Sequence, residues 1–446
     1  MSSSAYYTQQ ANIYTEKGDM VIINGVNWSG FQDTNIFQGL QGHGFYSDQN
    51  QLGLLDLLVH PYDYPQIGID KAIFKTIRFP IQPGILYDDA NEVDINKSLS
   101  SQSSPASGNG LFCRSWQSDG KCGTAVSSKQ AFWTALDEMQ KQGLRTLIDI
   151  HHGYGYSDDK RDGTVYNIDQ YQRDMSLLAQ EIGQRALTNV IGIDVFNEPY
   201  RLNWFQAHDG QVPWTKVIAT AANAIYENNP ELLLFVEGSG SGNDDIDEPV
   251  ICIPKTLIVD DPNAYNHYPA TDACGTLDKV EFKGNWGEDF KPLLNLAKAQ
   301  NNSPEFDIQR FKEELIKQGI TPQALNWLLG DEQAQHAHIV FSPHVYPAEV
   351  GGWESAPGRP SQMRFDWSWG FLNRAGYPVV LGEASWKTAK GKAFFTQALM
   401  PYMADNIKTQ NVFFWAIGYL GDTVTAISPH TGEWNKDVYD TLSSFF

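Results

Sequence analysis

The sequence predicts a single (β/α)8 barrel of the α/β class. Eight short runs rich in β-branched and aromatic residues recur along the chain, and helical patterns stand between them. Most runs are nearly continuous in apolar character, as expected of strands buried on both faces of a parallel sheet.

The first run covers residues 20–26 and the second 73–79. A helix is predicted over 128–142, opening on Ser128 as a cap and stopping at Gly143, just before the third run at 145–150. Tyr171, Met175, Leu178 and Ile182 fall at helical spacing within 169–182, ahead of the fourth run at 190–196. A third helix at 214–227 ends at Asn228-Asn229-Pro230, and the fifth run follows at 232–236. The remaining runs are 338–341, 378–381 and 411–415. An open doubly wound sheet is the competing fold. The stretch Gly25-Val26-Asn27-Trp28-Ser29-Gly30-Phe31 after the first run has the wrong spacing for its phosphate-binding turn, so the TIM barrel is preferred.

Two long inserts interrupt the alternation. One covers about 83–127, after strand two, and is rich in Ser, Gly and Asp. The other covers about 238–337, after strand five, with helical pieces near 306–317 and 322–329. Both follow strand C-terminal ends, where barrel enzymes build their sites, so they are expected to line a cleft within one domain spanning 1–446.

Bulk properties narrow the function. A formal net charge of −21 argues against nucleic acid as a partner, since phosphate neutralisation needs clustered Lys and Arg. No apolar run reaches the length of a membrane span. Aromatics make up 13% of residues, with 13 Trp, an excess that suits stacking against sugar rings as well as core filling. Four cysteines fall in two pairs, Cys113 with Cys122 and Cys252 with Cys274, one pair in each insert. Local disulfides are the simplest pairing, although free thiols remain the alternative. They favour a secreted or extracytoplasmic protein, even though the Met-Ser-Ser-Ser-Ala start lacks the features of a signal peptide.

Chemistry-bearing residues gather at the predicted strand ends. Arg78 lies near the end of strand two, His151 follows strand three and Asn197-Glu198-Pro199 follows strand four. His344 and Tyr346 follow strand six, Glu383 strand seven, and Trp415 closes strand eight. In a barrel these ends converge on one face. Two carboxylates across one pocket suit glycosidic cleavage, with one giving a proton to the leaving oxygen and the other attacking the anomeric carbon. His151 and His152 lack the companions of a zinc site. The acidic run Asn243-Asp244-Asp245-Ile246-Asp247-Glu248 lacks calcium-loop spacing. Neither a metal nor a cofactor is expected. Trp28, Tyr154, Trp204, Trp353 and Trp386 also follow strand ends and are candidate sugar platforms.

In this order, these motifs resemble glycoside hydrolase family 5, the cellulase family, from about residue 21 to 434. The resemblance implies that Glu198 is the acid/base and Glu383 the nucleophile, with Arg78 beside the nucleophile. It also implies that Asn197 bonds the sugar 2-hydroxyl, that Asp149-Ile150-His151 and His344-Val345-Tyr346 supply the strand-three and strand-six residues, and that Trp415 floors the subsite of the attacked sugar. Tyr346 is expected to donate to Glu383, and Arg78 to hold the Glu383 carboxyl low. Gly25-Val26-Asn27-Trp28 and His43-Gly44-Phe45 fit the same family. One departure is Gly421-Asp422-Thr423, which is followed by Val424 rather than the family's paired glycines. The expected activity is a retaining endo-β-1,4-glucanase acting on a β-linked polysaccharide or oligosaccharide as a monomer. β-Mannanase, β-1,3-glucanase, xylanase and glycolipid-cleaving activities remain as alternatives, and a non-catalytic sugar-binding protein is the alternative of another class.

Overall fold

The structure is a computed structural model that describes residues 5–29, 58–63, 68–87, 92–93, 126–151, 167–199, 202–207, 210–239, 252–254, 279–281, 287–299, 303–330, 336–350, 359–418, 423–427 and 434–446. Eight parallel strands form the barrel. They are β1 Asn24–Asn27, β2 Thr76–Ile81, β3 Arg145–Ile150, β4 Val190–Asp194 and β5 Leu233–Val236. Then come β6 Ile339–Phe341 with its continuation His344–Val345, β7 Leu381–Ala384 and β8 Val412–Phe414.

Strands β1 to β5 pair in sequence order, and β8 pairs with β1. The ring closes through β6, whose first piece pairs with β5 and whose second pairs with β7. Pro343 sits in the break and has no N–H to give the ladder. The predicted runs locate all eight strands, and β3 has the predicted bounds. β7 begins where its run ends, because the backbone of Val379 and Val380 pairs with β6 and the ladder with β8 starts at Leu381.

Alternation of side chains divides the apolar residues into two cores. Ile77, Phe79, Ile148, Leu234, Val236, Phe341 and Phe414 face outward into a core shared with the helices. Leu147, Ile191, Leu233, Phe235, Val340, Val380 and Phe413 face inward and fill the lower barrel. What seals that lower end has no signal among the predicted runs. It is a hairpin, Tyr6–Gln9 paired with Asn12–Thr15, that adds Tyr6 and Ile13 to the inner core.

The outer helices include α1 Ser128–Lys141, α2 Ile168–Gln184 and α3 Trp214–Asn228. Each lies within two residues of its predicted bounds. Asn167 caps α2 by accepting from the backbone N–H of Asp169 and Gln170. The second insert contributes α4 Ile308–Lys317 and α5 Pro322–Leu329, capped by Asp307 and Thr321. These two helices belong to the outer layer, not to the cleft wall expected of the insert. Lys216 and Asn223 of α3 donate to the carbonyls of Gln318 and Gly319, which explains why α3 is buried nearly all round. Of the rest of that insert, Cys252–Pro254 pairs with Lys279–Glu281, and residues 287–299 run back against the barrel. Cys252 is disulfide-bonded, and its partner lies outside the described residues, as do Cys113, Cys122 and Cys274. The acidic run at 243–248 and His43-Gly44-Phe45 also lie outside them. No described helix is long and apolar enough to cross a membrane.

Candidate active site

Above the inner apolar core, the inward positions change character. Arg78 of β2 continues the inward face of Thr76 and is fully buried. Its guanidinium contacts four buried carboxylates: Asp149 at 3.1 Å, Asp194 at 3.1 Å, Glu237 at 3.0 Å and Glu383 at 2.8 Å. It also donates to Asn27 Oδ1 and Asn197 Oδ1, each at 3.0 Å. Burial alone would disfavour its charge, but the four carboxylates push Arg78 well above its already high range. Each of the four carboxyls is in turn raised by burial, Asp149 and Asp194 to about 6. For Glu383 this corrects the expectation that Arg78 holds the carboxyl low. His344 and Arg78 do lower it, but burial is the larger influence.

The two expected catalytic glutamates face one another. One carboxylate oxygen of Glu198, a ring nitrogen of His344 and one carboxylate oxygen of Glu383 lie within 4.8 Å of each other. Tyr346 donates to Glu383 Oε2 at 2.6 Å, as expected. Behind Tyr346, the buried Arg364–Glu288 pair holds its backbone, with Arg364 Nη2 3.4 Å from the Tyr346 carbonyl. His344 Nδ1 lies 3.1 Å from Glu198 Oε1 and 3.6 Å from Glu383 Oε2. The Glu198 side chain is 27% exposed and that of Glu383 only 6%. Glu198 therefore stands at the cleft surface, with the nucleophile candidate beneath it.

His151 is neutral and oriented. Burial pushes its ring down to about 3, and Nδ1 lies 2.7 Å from Asp149 Oδ2. A neutral ring that donates from Nδ1 leaves Nε2 as an acceptor. That nitrogen sits 3.5 Å from the Asn197 amide. The ring also stacks on Trp415, with centroids 5.8 Å apart and planes 8° apart.

The structure thus brings together Arg78, His151, Asn197, Glu198, His344, Tyr346, Glu383 and Trp415. It does not support three of the candidate platforms. Trp28 is 0% exposed against Phe79, Trp204 is 1% exposed among Phe205, Phe290 and Phe311, and Trp386 is 2% exposed against Phe395 and Phe414. A fully packed indole offers no face to a sugar. Tyr154 and Trp353 lie outside the described residues.

Sequence reasoning missed Glu237, one residue past β5. Its Oε2 accepts the Glu198 backbone N–H at 2.7 Å, and its Oε1 accepts from Arg78. It also missed two glycines that give His344 its room. A Cβ on Gly382 would come within 2.8 Å of His344 Nε2, and one on Gly287 within 2.9 Å of His344 Cβ. Asp194, Glu237 and His344 also bring ligand atoms within 4.8 Å of one another, but Arg78 already occupies the space between the two carboxylates.

The family model Cellulase (glycosyl hydrolase family 5) matches residues 66–421. An endoglucanase of Paenibacillus polymyxa is 21% identical over 98% of this chain and 86% of its own length. Endoglucanase C of Cellvibrio japonicus is 27% identical over 47% of this chain, a match that spans only 23% of that protein. Among solved structures, the catalytic domain of the major endoglucanase from Xanthomonas campestris pv. campestris superposes with a TM-score of 0.61 at 18% identity, covering 99% of both chains. An endocellulase from Pyrococcus horikoshii in complex with cellotetraose gives 0.58 at 17% identity, over 100% of this chain and 99% of that one. At these identities, the structural likeness speaks for the fold.

Proposed function

Since the chain belongs to glycosyl hydrolase family 5 and is a glycoside hydrolase, we propose that it is a retaining endo-β-1,4-glucanase. The observation that carries this reading is the close approach of the Glu198 and Glu383 carboxylates, within 4.8 Å through their nearer oxygens. Retaining pairs stand about 5–5.5 Å apart, whereas inverting pairs need roughly 6.5–9.5 Å to admit a water. That the Paenibacillus polymyxa relative is an endoglucanase supports the substrate class.

In this reading, Glu383 attacks C1 of the sugar while the C1–O bond to the leaving chain breaks. Glu198 gives its proton to the departing oxygen. A glycosyl ester of Glu383 forms. Water then attacks C1, Glu198 takes the water proton, and Glu383 leaves as a carboxylate. Arg78 and Tyr346 supply hydrogen bonds that favour the ionised Glu383 before attack and after release. His151 Nε2 and the Asn197 amide face the same space as acceptor and donor for sugar hydroxyls, with Trp415 as the floor beneath them.

The same proposal covers the rest of the molecule. One catalytic domain carries the first insert and the remainder of the second at its cleft and acts as a monomer outside the cytoplasm. The Cys252 disulfide is closed by Cys274, and Cys113 pairs with Cys122, as an oxidising compartment allows. Product release from carboxymethylcellulose, barley β-glucan, laminarin, galactomannan, xylan and a glycosphingolipid tests the specificity, with Glu383→Ala run beside wild type. Cleavage of the two β-1,4-linked glucans alone, by wild type alone, is expected. Cleavage confined to another substrate overturns the glucanase assignment, and sugar binding without product from any of them overturns the catalytic one.

A further inference from the structure

His344 is flanked by carboxylates at both ring nitrogens. Nδ1 faces Glu198 Oε1 at 3.1 Å and Glu383 Oε2 at 3.6 Å, and Nε2 lies 3.0 Å from Glu237 Oε1. The Nε2 contact has the distance of an ion pair without the alignment of a hydrogen bond. Glu237 in turn faces donors: the Glu198 N–H on Oε2, and Arg78 and His344 on Oε1. Burial, with Asp194 nearby, pushes the Glu237 carboxyl up, while the charges of His344 and Arg78 pull it down. With the Glu198 N–H, the Arg78 guanidinium and the His344 ring all set against its two oxygens, the geometry favours the ionised form. Glu198 also needs support at its backbone. Its φ is +42°, a left-handed conformation uncommon for a non-glycine residue, and Pro199 follows it. The bond to Glu237 ties down its N–H.

We propose that Glu237 is a positioning residue for the acid/base: it holds the Glu198 backbone and, as counter-ion to His344, keeps that ring a donor from both nitrogens. The consequence is directional. A ring that donates from Nδ1 makes Glu198 Oε1 an obligate acceptor, so the reacting proton resides on Oε2. If the ring were neutral with its proton on Nε2, Nδ1 would accept the Glu198 proton and hold it away from the glycosidic oxygen. The other charged groups act in the same sense or stand aside. Glu383 also favours a charged ring, Arg78 opposes it but is paired with Asp149, Asp194, Glu237 and Glu383, and His151 is neutral. Burial disfavours the charge on His344, yet Glu237 and Glu383 carry the ring well above the ordinary histidine range.

This inference rests on Glu198 being the acid/base, so the test separates the two. Glu237→Gln keeps the shape and a carbonyl acceptor while removing the charge. Nitrogen-15 NMR of the histidine rings is expected to show His344 protonated on both nitrogens from pH 5 to 8 in wild type, and titrating within that range in the variant. In the same variant, kcat/KM on cello-oligosaccharides is expected to fall about 10–100-fold, within the span of general acid catalysis. With 2,4-dinitrophenyl cellobioside, whose leaving group needs no proton, it is expected to change less than about threefold. A wild-type ring that is neutral at pH 7 overturns the proposal, and so does a variant whose losses on the two substrates are equal. Glu198→Ala, run in parallel, reads the underlying assignment. It should lose the oligosaccharide and regain turnover of the dinitrophenyl substrate when azide is added. Failure of that control removes the acid/base reading itself. Success of the control, with no leaving-group dependence in Glu237→Gln, removes the positioning role alone.

Discussion

The lower and upper halves of the barrel interior are built by the same strands but obey opposite chemistry. Below, Leu147, Ile191, Leu233, Phe235, Val340, Val380 and Phe413 make an apolar plug sealed by Ile13 and Tyr6. Above, the next inward positions are Arg78, Asp149, Asp194, Glu237, His344 and Glu383, all buried and all ionisable. On β5 the change takes a single step, from Leu233 and Phe235 to Glu237. Burying apolar carbon stabilises the fold wherever it is done. Burying charge stabilises only if every partner stays in place, and removing one partner strands the others. The lower half therefore holds the barrel together, and the upper half holds a few atoms in a reactive arrangement.

Substitutions that address one half at a time break that division if it is wrong. The largest expected effect is on activity. Glu383→Ala should lower turnover by about 10⁴-fold or more while leaving the chain folded, with a lowered melting temperature, because Arg78 keeps Asp149, Asp194 and Glu237 as partners, as parallel assays and thermal melts would show. Phe235→Ala addresses the other half. It should cost about 3–5 kcal/mol of stability, the usual range for truncating a buried Phe, with kcat per folded molecule unchanged. Urea titration and active-site-normalised kinetics would check this. If Phe235→Ala lowered kcat as strongly as it lowered stability, the two layers would be a single unit.

Tyr346→Phe removes only the hydroxyl that donates to Glu383. A hydrogen bond to a charged group contributes about 1.5–3 kcal/mol. A loss of roughly 10–100-fold in kcat/KM is therefore expected, with little change in melting temperature. The smallest effect is a pH dependence. Asp194 is raised to about 6 in the folded protein, above its unfolded value, so its favourable share of stability is present at low pH and lost as pH rises through 6. Asp194→Asn removes that loss. The melting temperature of the variant relative to wild type should therefore rise between pH 4 and pH 7. A flat difference across that range would show that Asp194 does not titrate there.

The strand runs, the helices and the facing pair of glutamates were legible in the sequence because each has a local signature: a dense apolar run, a cap, or a carboxylate just past a strand. On strands without a bulge, the direction of a side chain at the strand end was also legible, but only through alternation; β7 shifts register between Leu381 and Ala384, so Glu383 faces inward three residues after Val380. Asn27 faces inward to Arg78, so its neighbour Trp28 must face the helices, where it packs on Phe79. Phe413 lies in the inner core and Phe414 in the outer, so Trp415 returns to the inside and reaches the cleft. Applying this parity to Trp28 would have withdrawn it as a sugar platform. Applied to Leu233 and Phe235, it would have singled out Glu237. The N-terminal hairpin had no comparable signal. Its turn is Gln10-Ala11, with φ of 48° and 63°, rather than the Asn-Gly or Asp-Gly that announces such a turn. Trp204 lies beyond a strand, so its burial depends on contacts with Phe290 and Phe311 that are distant in sequence.

The most direct test of the double-displacement account is to trap the covalent intermediate. The protein would be incubated with a 2,4-dinitrophenyl 2-deoxy-2-fluoro-β-cellobioside, digested, and its peptides weighed by mass spectrometry. The fluorine slows both chemical steps and the good leaving group restores the first, so the glycosyl-enzyme should accumulate. The account predicts a single added fluoroglycosyl mass on the peptide containing Glu383, and none in Glu383→Ala. A label on another residue, or rapid turnover to product of inverted configuration with no label, would contradict it.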